Sequence, residues 1–148
     1  NYLKPFWPAS AKKYSSDYLM KVAKIIQDRI KYGQELVTLT DYFFEDKPVN
    51  LDLIFTNSQL KNLGKEKLIN LLDQSLLTFK KIKFEEKILN DNLNNLLIKL
   101  NQKPAVLFSL IRIATTQVPY SPGLSETLAI LGKEVAIKRI KQTIKALE

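Results

Sequence analysis

The sequence predicts an all-α protein, on three observations. Glycine is scarce, four residues in 148, while leucine, isoleucine and lysine are abundant, a mixture that favours helices over strands. Apolar residues recur at spacings of three, four and seven, the period of one helical face. The one stretch that reads as a strand, VNLDLIFTNS at 49–58, has no partner strand and is assigned as a connector.

Each element follows from its own pattern. Over 16–37, Leu19, Val22, Ala23, Ile26, Ile30 and Val37 form one face. Ser15 or Ser16 caps that helix, and Asp17 sits in its first turn, where the macrodipole favours an acid. Thr40 then caps a short helix whose Tyr42, Phe43 and Phe44 read as a core plug, and Lys47-Pro48 ends it. A helix over 62–79 carries Leu68, Ile69, Leu72, Leu76 and Phe79 on one side, and KKIK after it reads as a solvated turn. Glu85 or Glu86 opens the next helix, with a stripe of Ile88, Leu89, Leu93, Leu96, Leu97 and Leu100. Its other face is filled by Asn90, Asn92, Asn94 and Asn95, poor helix formers, so packing must hold it.

Pro104 restarts the chain at a comfortable first-turn position. AVLFSLIRIATT is apolar nearly all round, as befits a central helix, and Arg112 interrupts it. Two readings of Arg112 stay open on periodicity alone: a charge reaching the surface along its own stem, or a functional arginine. Next, VPYSPGLSETLAILGKE spends two prolines and a glycine on a stiff turn. Ser125 is placed to cap the short helix that follows, Glu126 lies in its first turn, and Gly132 ends it. A last helix carries Ala136, Ile137, Ile140, Ile144 and Leu147 on one face. Lys133, Lys138, Arg139, Lys141 and Lys145 line the rest and are assigned to solvent in preference to direct RNA contact.

Composition narrows the chemistry. There is no cysteine and no histidine, which removes disulfides, thiolate metal sites, imidazole bases and nearly all zinc and haem sites. The acids mostly neighbour lysines, as in Lys65-Glu66-Lys67, the look of a solvated face rather than a buried carboxylate pair. No repeat, P-loop, dinucleotide fingerprint or metal spacing occurs. Net charge is +8, which favours a polyanionic partner, a nucleic acid or an anionic membrane surface. No apolar run reaches the roughly 18 residues of a membrane span. NYLKPFWPASAKKY lacks a signal-peptide core. The chain therefore reads as soluble and cytoplasmic. Its start without Met reads as a piece of a longer chain. What remains for function is arginines, lysines and a proline-stiffened loop at a helix tip, tools suited to reading unpaired RNA bases.

The segment IRIATTQVPYSPGLSETLAILGKEVAIKRI resembles the C-terminal part of bacterial-type glutamyl-tRNA synthetases, class I aminoacyl-tRNA synthetases. The pattern is an Arg-x-Ala segment, a short loop, Ser/Thr-Pro-Gly-Leu, an apolar helical turn and Leu-Gly-Lys-Glu. Upstream, QDRIKYGQELVTLTDYFFED is similar to the family's basic helix followed by a Tyr/Phe-Phe pair and an acid. The resemblance implies two small helical anticodon-binding subdomains, 1–52 (the C-terminal portion of the first) and 53–148, forming a bundle around the anticodon.

It also implies a catalytic domain of the same parent chain that uses ATP and magnesium. This fragment would be non-catalytic, hold no cofactor, and act as a monomer on the anticodon stem-loop of tRNA-Glu, away from membranes. By the same resemblance, Arg112 contacts the first anticodon base, Ser121 and Pro122 recognise the central uridine, and Leu124 packs against the first base. Arg29 reads the third. Family members commonly carry glycine where this chain has Gln117, a departure within the loop's entry. The rival readings are a helical scaffold for another protein and a basic RNA-binding domain without base preference.

Overall fold

The computed structural model describes residues 15–26, 48–118 and 123–148. It divides into two compact units, Asn1–Lys47 and Pro48–Glu148. Seven helices and no strand are present among the described residues.

In the first unit, helix α1 spans Ser16–Ile26. Ser15 caps it, its hydroxyl accepting from the amide of Tyr18 at 3.2 Å, and Asp17 lies in the first turn. Val22, on the predicted apolar face, is fully buried. The rest of the helix expected over 16–37, and the short aromatic helix after Thr40, lie outside the described residues.

The second unit is built from α2 (Asp52–Phe55), α3 (Lys65–Lys81), α4 (Glu86–Leu100), α5 (Pro104–Thr116), α6 (Leu124–Leu131) and α7 (Lys133–Leu147). The expected connector contains α2, a single helical turn. Asn50 Oδ1 accepts from the amide of Asp52 at 3.1 Å, and Ile54 is driven fully into the core. In α3 the buried side is Leu68, Leu71, Leu72, Ser75, Leu76 and Phe79. The helix continues through Lys80 and Lys81, so half of KKIK is helical rather than turn. Phe84 returns to pack its ring edge-on to Phe79, centroids 5.4 Å apart.

Helix α4 buries Leu89, Leu93, Leu96 and Leu97 and exposes Asn90, Asn94 and Asn95, as its pattern predicts. Full burial of a side chain such as Leu93 contributes about 1.5–3 kcal/mol, which outweighs the poor helix propensity of the asparagines. Pro104 occupies the first turn of α5, as expected. Helix α6 begins at Leu124 with Gly123 before it, so Ser125 lies inside the first turn instead of capping it. The carbonyl of Gly123 already accepts from the amide of Thr127, because the helix starts directly after the Pro-Gly pair. Gly132 joins α6 to α7 alone: its amide bonds to Leu128, its carbonyl accepts from Ala136, and its φ of 89° is open to glycine and rarely to other residues.

Helix α7 is the hub, packing on α3, α5 and α6, while α4 closes against α6 and α3. The core of the unit is continuous from Ile54 to Leu147. The expected site residues Arg112 and Leu124 belong to α5 and α6, on either side of the junction between them.

Candidate nucleic-acid interface

A helix leaves its last four carbonyls without helical partners, and each must find a donor or water. At the end of α5 these belong to Ile113, Ala114, Thr115 and Thr116. Ile113 accepts from the amide of Gln117 at 2.8 Å. Ala114 accepts from the side-chain amide of Gln117 at 3.4 Å and lies 3.5 Å from the hydroxyl of Thr143 on α7. Thr115 accepts from a guanidinium nitrogen of Arg139 on α7 at 2.8 Å. Three of the four carbonyls are thus closed by side chains or a left-handed cap.

Gln117 makes that cap, with φ 56° and ψ 31°. Glycine takes this conformation freely, whereas a long side chain usually avoids it. Its side chain has work at both ends. Nε2 donates to Ala114, and Oε1 accepts from the backbone amide of Asn50 at 2.9 Å. The position where the resembling family carries glycine is left-handed in this chain, and the glutamine adds a tie to Asn50.

The chain leaves this cap under further control. The hydroxyl of Thr116 lies 2.6 Å from the carbonyl of Arg112, and accepts from the amide of Val118 at 3.3 Å. Thr115 bonds back to Ile111 at 2.8 Å. Arg112 stands one turn before the end of α5 with its side chain half-buried. Leu124 lies at the far end of the loop, 5% exposed and part of the core. Arg112 and Leu124 thus flank the loop from the two helices that bound it. Ser121 and Pro122 within it, and Arg29 in the first unit, lie outside the described residues.

Arg139 departs from its assignment to solvent. It is 7% exposed, and its hydrogen bond runs into α5. The spacing carried the signal: Ala136, Arg139, Ile140, Thr143, Ile144 and Leu147 are one buried stripe of α7. Grouping Arg139 with the lysines by charge hid it, although Lys138, Lys141 and Lys145 are exposed as expected. The pairing of Gln117 with Asn50 had no sequence signal, since 67 residues separate them.

Among the described residues, no group of three or more acids is placed to hold a metal ion, and no helix is long and apolar enough to cross a membrane. Exposed lysines lie on α3, α4 and α7, interspersed with exposed acids such as Glu66, Asp73, Asp91 and Glu134.

A family model described as an anticodon binding domain matches residues 1–144. The chain belongs to the anticodon-binding domain family. Curated relatives of this domain are glutamate–tRNA ligases. The protein from Acholeplasma laidlawii is 30% identical over 132 residues, covering 88% of this chain and 28% of the relative. That of Bacillus subtilis is 31% identical over 131 residues, covering 84% of this chain and 25% of the relative. That of Herpetosiphon aurantiacus is 34% identical over 128 residues, covering 83% and 24%. The chain therefore spans about a quarter of the length of these relatives. The all-helical fold is shared with a solved glutamate tRNA ligase from Elizabethkingia meningosepticum in complex with its amino acid. That match has a TM-score of 0.78 at 14% identity and covers 94% of this chain and 28% of the other.

Proposed function

We propose that this anticodon-binding domain is the anticodon-reading part of a cytoplasmic glutamate–tRNA ligase, and that its RNA partner is tRNA-Glu. The observation that carries the reading is the family match over residues 1–144, supported by relatives that are glutamate–tRNA ligases along most of the chain. Attachment of glutamate with ATP and magnesium would belong to the remainder of the parent enzyme. In this chain, the absence of histidine and cysteine leaves no imidazole or thiolate for chemistry of its own.

In this reading, Arg112 and the loop holding Ser121 and Pro122 take the first and middle anticodon bases, and Arg29 takes the third. Leu124, expected to pack against the first base, is 5% exposed in the free protein, so in this reading it anchors the loop's end rather than offering a wide surface to that base. Anticodon bases are single-stranded and offer their Watson–Crick edges to planar donors such as guanidinium. Arg112 suits the role because it projects from a helix whose end is closed by hydrogen bonds on three sides. A backbone fixed this way leaves only the arginine side chain to be ordered on binding. The exposed lysines add phosphate attraction, which makes affinity fall steeply with salt.

The test is titration of the 148-residue chain against a labelled tRNA-Glu anticodon stem-loop and against loops changed at one anticodon base. Parent chain should prefer the matched loop. Arg112→Ala should lose about 1–3 kcal/mol of discrimination at the first base. Arg29→Gln should relax the choice between C and G at the third base. Equal binding of every stem-loop by the parent chain would identify an unselective basic domain instead, and no binding at low salt would favour a protein scaffold.

A further inference from the structure

We propose that Arg139 and Gln117 are positioning residues for the base-reading loop: together they close the end of α5 and so fix the direction in which the chain enters the loop at Val118. The proposal rests on the reading that this loop meets RNA. Neither residue has to touch RNA for it to hold.

The geometry supports it from two sides. From α7, the buried guanidinium of Arg139 reaches the carbonyl of Thr115 at 2.8 Å, while Thr143, one turn along, lies against Ala114 and bonds back to Arg139's own carbonyl at 3.0 Å. From the opposite end of the unit's sequence, Asn50 donates its amide to Gln117 Oε1 at 2.9 Å. A cation at a helix C-terminus also meets the negative end of the macrodipole. The carbonyls being closed belong to the turn that carries Arg112, whose own carbonyl is bonded to Thr116. A shift of that turn would therefore displace Arg112 and the start of the loop together.

An arginine kept for solubility would not be buried against a helix end. A glutamine in a left-handed cap would be replaceable by glycine without consequence if the backbone conformation were its whole role. Here the glutamine supplies two hydrogen bonds that glycine cannot.

The experiment measures two things on the 148-residue chain: the ratio of affinities for the matched tRNA-Glu stem-loop and for one changed at the middle base, and the intraresidue amide-to-Hα NMR cross-peak of Gln117, which a positive φ makes strong. Simple destabilisation lowers the folded fraction for both stem-loops alike and leaves the ratio unmoved. Arg139→Met, which keeps the apolar stem, should lower the ratio at least about fivefold and weaken the cross-peak. Arg139→Lys, which keeps the charge and a donor, should recover much of both. Should Arg139→Met fail to fold, Gln117→Gly decides, because glycine accepts the backbone conformation while deleting both ties. It should fold, yet discriminate the middle base less well.

A folded Arg139→Met or Gln117→Gly chain with the parent's ratio overturns the proposal. A parent chain with no base preference overturns the anticodon reading on which it rests, so the two failures are told apart by the parent alone.

Discussion

Helices α4 and α5 both end on a non-glycine residue with positive φ, and they end for opposite reasons. At the end of α4, Asn101 (φ 52°) is exposed, and its amide and that of Gln102 bond to the carbonyls of Ile98 and Leu97 at 3.2 and 3.0 Å. This is a Schellman closure made by backbone alone, on a residue type that tolerates the left-handed region. At the end of α5, Gln117 makes one backbone bond, and the carbonyls of Ala114 and Thr115 are closed by Arg139, Thr143 and its own side chain. One helix end is a local device. The other is assembled by residues from three parts of the unit's sequence, and it is the one next to the base-reading loop of the proposed site.

The comparison can be broken most forcefully at Arg139. Arg139→Met should cost about 2–3 kcal/mol in urea unfolding, because a buried, charge-assisted hydrogen bond is lost and the Thr115 carbonyl loses that donor. Lys141→Ala, an exposed change on the same helix, should stay within about 0.5 kcal/mol. Equal effects at the two positions would make the α5 end as local as that of α4.

Gln117 sharpens the contrast at a smaller scale. Gln117→Ala keeps the unfavourable backbone conformation and deletes two neutral hydrogen bonds, one of them exposed, and should destabilise by about 1 kcal/mol. Gln117→Gly relieves a left-handed penalty of about 1 kcal/mol while losing the same bonds, and should come out near neutral. Thermal or urea unfolding of the pair reads the difference directly. Asn101→Gly should give a gain of no more than about 0.5 kcal/mol by the same measurement, with RNA discrimination untouched.

Much of the second unit was legible in its sequence because its helices are strongly periodic. The stripe Leu89, Leu93, Leu96 and Leu97, the start at Pro104 and the stop at Gly132 each follow from a local rule. Two local rules misled. Ser125 has the residue type of a cap, but the helix already starts at Leu124, after Gly123. The stretch 49–58 was assigned as a connector, yet it folds into a turn whose Ile54 is fully buried, since one apolar residue on a short turn has no period to reveal it. Of the expected site residues, Arg112 is half-buried on α5 and Leu124 is in the core at the start of α6.

By itself, the sequence determined where the longer helices of the second unit run, which of their faces are apolar, that imidazole and thiolate chemistry are impossible in this chain, and that the family is one of anticodon binders. These properties depend on residue type and on neighbours three or four positions away. The tertiary structure alone decided that Arg139 is buried, that Gln117 reaches Asn50, and that the α5 end is closed from outside its own helix. Those facts depend on which carbonyls lack partners once helices pack. A donor 24 or 67 residues away leaves no periodic trace in the chain that supplies it.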